Sequence, residues 1–173
     1  PVSNPGIENW TEIIPHRKEV LLQDIEVFND YLVVEERKKG LIELCVINWK
    51  TKEKHYLPFN EEVYTASLGI NPDVSSKKLR YSYSSLTTPN SVFEYDMANR
   101  KTRLLKQQEV LGGFSATNYE TKRLYAVSHD GVKIPVSLVY KKGIEITGNN
   151  PLLLYGYGSY GITIDPVFSS HRL

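Results

Sequence analysis

The 173-residue chain is short of several residue types, and each shortage closes off a class of protein. It has a single cysteine, Cys45. That excludes an internal disulfide and a cysteine-built zinc site, and it fits a reducing compartment, with a cytoplasmic location as the expectation. Only four alanines stand against 15 valines, 12 isoleucines and 10 threonines. A helical protein uses more alanine, whereas β-branched residues and the 12 tyrosines suit pleated, half-buried surfaces. The composition therefore points to a mainly β protein. An excess of one charge is also missing: 21 Lys and Arg balance 20 Asp and Glu, a net charge of +1 without the basic footprint of a nucleic-acid binder. No apolar run approaches the length of a membrane span, the longest centring on Leu152–Leu154, and no signal peptide opens the chain. Neither nucleic acid nor membrane is expected as a partner. What is present is ordinary globular composition, 40% hydrophobic and 24% charged. At roughly 100–200 residues per domain, that is one domain or one and a piece of another. The chain opens on Pro1 and stops at Leu173, and the expectation is an internal piece of a longer polypeptide.

Strand-like runs arrive at short intervals. Gln23–Phe28, Tyr31–Arg37, Leu41–Trp49 and His55–Pro58 are joined by polar turns at Asn29-Asp30, Lys38-Lys39-Gly40 and Lys50–Glu53. A second set follows: Val63–Ile70, Leu79–Leu86, Ser91–Tyr95 and Thr102–Leu105. Matching elements recur at roughly 40–50 residues, the period of a propeller blade built as a four-stranded meander. Val46–Thr51 and Tyr95–Arg100 both read as an outer strand entering a hairpin. An irregular β-sandwich is the competing architecture. Lys106–Asn118 breaks the rhythm and reads as a linker. Beyond it, Leu124–Ser128 leads through His129-Asp130-Gly131 into Val132, Ile134, Val136, Leu138 and Tyr140, which alternate with Lys133, Pro135, Ser137 and Lys141. Asp-Gly between two such runs signals a hairpin. Pro135 lacks an N–H and places its strand at an edge or a bulge. Pro151–Tyr155 is continuously apolar, as expected of a strand covered on both faces of an α/β sheet. The expected division is residues 1–118 as propeller blades and residues 119–173 as the first strands of another fold.

The segment Tyr155-Gly156-Tyr157-Gly158-Ser159-Tyr160-Gly161 is the unusual one, its glycines permitting sharp turns and close approach. Gly156, Gly158 and Gly161 satisfy G-x-G-x-x-G. A dinucleotide site also needs a helix opening at the last glycine, and Ile162-Thr163-Ile164-Asp165-Pro166 follows instead. A kinase loop would need a V-A-I-K strand downstream. Ser159 fails the nucleophile elbow G-x-S-x-G at its first position, which Tyr157 occupies. The third reading is an oxyanion-hole loop that presents a tyrosine hydroxyl to a tetrahedral intermediate. The bland alternative is a tyrosine that packs.

The stretch Leu152–Gly161 resembles the signature loop of the prolyl oligopeptidase family of serine peptidases, and its Ser159-Tyr160 pair is the form of the oligopeptidase B branch. The likeness extends to Val33–Arg37, Arg80–Pro89 and Asp130–Tyr140, in the same order, and covers the chain from about residue 20 onward. It implies a two-domain enzyme in which a β-propeller caps an α/β-hydrolase domain and admits short peptides to a Ser-His-Asp site. The implied cleavage is after Arg or Lys. This chain would hold the last four-stranded blades and the opening strands of the hydrolase domain. Tyr157 matches the oxyanion-hole tyrosine. The family's nucleophile, acid and base would all fall beyond Leu173, so the segment alone is expected to be inactive. No cofactor or metal is implied. The alternative is a catalytically dead propeller acting as a binding scaffold.

Two open blades leave strand edges bare, so the isolated segment is expected to self-associate. His129 sits in a turn, while His16, His55 and His171 lack ligand spacing. Cys45 reads as a small buried apolar residue. Glu35-Glu36-Arg37-Lys38-Lys39 reads as a solvated, mixed-sign turn.

Overall fold

The computed structural model describes residues 2–173. Its regular structure is almost wholly strand, with two single-turn 3-10 helices at Ile7–Asn9 and Ala116–Asn118. Strands β1 (Val20–Val27), β2 (Tyr31–Lys38), β3 (Leu41–Asn48) and β4 (Lys54–Tyr56) form one antiparallel meander. A second comprises β5 (Tyr64–Leu68), β6 (Lys78–Ser85), β7 (Ser91–Asp96) and β8 (Lys101–Gln107). These are the four-stranded blade units expected from the repeat.

Their turns repeat in atomic detail. At the end of β3, the Asn48 side-chain oxygen accepts the N–H groups of Lys50 and Thr51. At the end of β7, Asp96 does the same for Ala98 and Asn99. Each turn closes on a left-handed residue, Lys52 at φ 62° and Arg100 at φ 57°, whose N–H returns to the carbonyl of Asn48 or Asp96. Asx side chains favour such turns because they stand in for a backbone acceptor. Between β2 and β3, Lys39 and Gly40 both have positive φ, the two-residue geometry that matches the twist of a hairpin.

The core lies between the meanders. Tyr31, Val33, Leu44 and Val46 of the first pack against Leu79, Tyr81, Tyr95 and Met97 of the second. Leu44 and Leu79 are wholly buried, and a side chain of that kind contributes about 1.5–3 kcal/mol. Phe59, Tyr64 and Tyr83 stack beside this core, with ring centroids 4.7–5.8 Å apart. The opposite face of the first meander carries Leu32, Val34 and Cys45, covered by Ile14, Ile47 and Trp49. Cys45 is the small buried residue expected.

With both faces of β2 covered, the run Glu35–Lys39 is not a solvated turn. Glu36 is 2% exposed and accepts hydrogen bonds from Arg17 and, at 3.0 Å, from Tyr56. Glu35, on the other face, accepts the N–H of Leu68 at 2.9 Å. Only Lys38 and Lys39 are solvated. Strand alternation carries these charges inward, where they persist because each is partnered.

The third sheet is the hairpin β9 (Tyr119–Val127) and β10 (Lys133–Lys141), turned at Ser128–Val132 with Gly131 at φ 82°. Pro135 lies on β10, in a sheet of two strands where each strand is an edge. Pro151–Tyr155, expected as a buried strand, is not one. It pairs with no described strand, and Leu152, Leu153 and Leu154 are 75–82% exposed. An apolar run becomes a central strand only between partner strands with covered faces, and the described residues supply neither at this place.

Candidate functional site

The glycine-rich segment leaves the β9–β10 hairpin through an irregular stretch and stands exposed. Gly161 at φ 69° and Tyr160 at φ 57° make its one left-handed turn, closed by the Ile162 N–H on the Ser159 carbonyl at 3.1 Å. Gly156 and Gly158 are not turned in this way, and a Cβ at either would meet open space. The close approach expected of those glycines is therefore to nothing within the described residues. No helix opens at Gly161, as a nucleotide-binding loop would require.

Tyr157 is 50% exposed, and its hydroxyl makes no hydrogen bond to another described residue. Tyr155 is fixed differently, with the Arg172 guanidinium 4.7 Å from its ring centroid. Ser159 has no histidine brought to it by any described hydrogen bond. His16, His129 and His171 are exposed and separate. His55 is half-buried beside Tyr95, with ring centroids 5.9 Å apart. Burial, assisted by the charge of Arg100, pushes the His55 pKa below the usual imidazole range. Among the described residues no three His, Cys, Asp or Glu side chains converge as a metal-ligand set.

The segment is tethered a few residues beyond its glycines. Arg37 on β2 donates to both carboxylate oxygens of Asp165, at 2.7 and 2.9 Å. The Phe168 N–H donates to the buried Ser84 hydroxyl at 3.1 Å. The Phe168 ring packs edge-on against Phe114, with centroids 4.9 Å apart. The β9–β10 hairpin reaches the same end of the first meander, where Arg123 donates to the Lys39 carbonyl. None of these tethers was legible as a site, since Arg37 and Asp165 lie 128 positions apart.

The second meander holds a polar cluster that the sequence reading passed over. Glu61, between β4 and β5, accepts hydroxyl hydrogen bonds from Tyr83 at 2.6 Å, Ser85 at 2.8 Å, and Thr87 and Thr88 at 3.0 Å. The dense run of hydroxyl residues Ser82–Thr88 was the available signal. Burial, and then the bond to Glu61, holds the Tyr83 phenol well above its ordinary pKa.

Comparison with known proteins agrees with this architecture. Residues 1–108 match the model of the prolyl oligopeptidase N-terminal beta-propeller domain. Dipeptidyl aminopeptidase BI from Pseudoxanthomonas mexicana is 39% identical over 170 residues, 98% of this chain and 23% of that protein. Protease 2 from Moraxella lacunata is 30% identical over 167 residues, 96% of this chain and 24% of its own length. Among solved structures, the closed form of Trypanosoma brucei oligopeptidase B with covalently bound antipain superposes with a TM-score of 0.84 at 36% identity. That match covers 92% of this chain and 24% of the enzyme. Leishmania major oligopeptidase B gives 0.83 at 32% identity, over 93% of this chain and 24% of its own. The chain thus spans about a quarter of the length of the relatives it matches. Its two four-stranded meanders are blades of a β-propeller, and the chain belongs to the prolyl oligopeptidase family.

Proposed function

We propose that the complete polypeptide carrying this chain is a serine oligopeptidase that cleaves short peptides after Arg or Lys, with residues 1–118 in its propeller and 119–173 opening an α/β-hydrolase domain. The observation that carries the reading is the glycine-rich loop around Tyr157, which follows the propeller blades in a chain whose relatives include peptidases. A hydroxyl held ready to donate can receive the charge of a tetrahedral intermediate.

In this scheme a serine outside the chain adds its Oγ to the scissile carbonyl carbon and yields its proton to a histidine. The carbonyl oxygen becomes an oxyanion and accepts hydrogen bonds from Tyr157 and from the backbone N–H following the nucleophile. Collapse breaks the C–N bond, and the histidine returns the proton to the departing amine. Water then hydrolyses the acyl-enzyme. The 173-residue chain supplies the tyrosine and the propeller wall, and is inactive on its own.

The test is Tyr157→Phe in the complete enzyme, assayed on fluorogenic peptides ending in Arg, Lys or Pro. The expected result is a kcat lower by about 10²–10³ with KM nearly unchanged. An unchanged kcat removes the oxyanion role, and preference for proline removes the Arg/Lys assignment. Absence of all hydrolysis, with no covalent labelling by a serine-directed phosphonate, would leave a binding scaffold.

A further inference from the structure

Residues 165–168 form a short anchor that seats the end of the glycine-rich segment on both meanders at once. Asp165 meets Arg37 of the first meander, and Phe168 meets Ser84 of the second. Pro166 and Phe168 are buried, in contrast to the exposed stretch from Pro151 to Ile164. Arg37 has partners besides Asp165. Its Nε donates to Gln23 at 3.0 Å, and one Nη also reaches the Gly40 carbonyl at 3.5 Å. The Arg37 side chain is largely buried. A guanidinium oriented by its own strand neighbours and spent on a bidentate carboxylate pair fixes an angle as well as a distance. Among the described residues no ion pair ties residues 151–161 to either meander, and Tyr155 meets only the nearby Arg172 guanidinium.

We infer that Arg37 is a positioning residue for the reaction proposed above: through Asp165 it fixes the downstream end of the segment that presents Tyr157, and so sets where the hydroxyl stands relative to the developing oxyanion. The inference rests on the oxyanion reading of Tyr157. Seven residues separate Asp165 from Tyr157, with one tight turn between them at Ser159–Ile162. An anchor at that distance limits the sweep of the loop without touching substrate. Only the transition state needs the hydroxyl placed correctly, so the effect falls on kcat and leaves KM nearly alone.

The test is a kinetic cycle in the complete enzyme, using Arg37→Met, Tyr157→Phe and both together, with Arg37→Lys as the conservative variant. Arg37→Met is expected to lower kcat by about 10- to 100-fold, with KM moving less than about threefold. In the Tyr157→Phe background the same change should cost less than about twofold, because a residue acting through the hydroxyl has nothing left to position. Arg37→Lys, which keeps the charge and loses the fork, should recover part of the rate. Hydrogen exchange read by mass spectrometry should speed up in peptides spanning 155–168 of the Arg37 variants and stay constant over β6 and β7.

If Tyr157→Phe slows the enzyme and Arg37→Met is silent, or multiplies fully with it, the positioning role is overturned and the oxyanion reading stands. If Tyr157→Phe leaves kcat unchanged, both fall. If Arg37→Met fails to fold, Arg37→Lys in the same cycle decides: loss of rate only where Tyr157 is intact supports the role, and equal loss in both backgrounds refutes it.

Discussion

Replacing Glu61 by alanine should be among the most damaging single changes in the second meander. Four hydroxyls converge on this one carboxylate, from Tyr83, Ser85, Thr87 and Thr88. Ser85 and Thr87 are buried, and once the acceptor is gone their hydroxyls keep only a long mutual contact of 3.5 Å among the described residues. The Ser85 oxygen is already committed, accepting the N–H groups of Thr87 at 3.0 Å and Thr88 at 2.7 Å, and this holds the β6–β7 turn in shape. A buried polar group left without its partner costs about 1–3 kcal/mol. Two such groups, with smaller losses at the more accessible Tyr83 and Thr88, put Glu61→Ala at about 3 kcal/mol. With a urea slope of about 2 kcal/mol per molar, the unfolding midpoint falls by roughly 1.5 M. Glu61→Gln keeps the shape and one good acceptor oxygen, so its expected cost is about 1 kcal/mol. The assay is urea unfolding of the 173-residue chain followed by fluorescence of Trp10 and Trp49. A shift below about 0.3 M for Glu61→Ala would refute the reasoning, since the hydroxyls would then have other acceptors. Equal losses for alanine and glutamine would show that the negative charge matters and the count of acceptors does not.

Two further outcomes follow from the same structure. Burial raises the Glu35 pKa above its ordinary value, against the opposing pull of the Leu68 N–H. A carboxyl raised in the folded state contributes stability below its unfolded pKa and loses it as pH rises through the folded value. Glu35→Gln, which can still accept from Leu68, should therefore match the parent near pH 4 and exceed it at pH 7 in urea midpoint; lower stability at pH 7 would reverse the argument. The isolated chain should also self-associate, because β1 pairs on one side only and leaves Leu21, Leu22, Ile25 and Val27 exposed. Light scattering at high concentration checks this. Ile25→Lys should lower the apparent mass, and a clean monomer for the parent chain would count against association through these edges.

Short-range order was written plainly in the sequence. Asx and glycine residues at turns act on their own neighbours, so Asn48, Asp96, Lys39-Gly40 and Gly131 stand where the turns were expected. Alternation and spacing set the eight blade strands and β10 within a residue or a few of their ends, because the period of a pleated strand is local, while β9 begins at Tyr119, five residues before the expected Leu124. The glycine-rich segment around Tyr157 was also visible, through its composition and its resemblance to a family loop.

Tertiary structure decided the rest. Whether a charge on β2 meets water depends on what covers each face of the sheet, so Glu36 with Arg17, and Arg37 with Asp165, were invisible to a reading of neighbours. The convergence of four hydroxyls on Glu61 spans a connection between strands and has no period of its own. The apolar run at Leu152–Leu154 makes the same point from the other side: its composition suits a buried strand, and the described residues leave it exposed. Burial belongs to the partners a segment finds, and a sequence names those partners only when they are near.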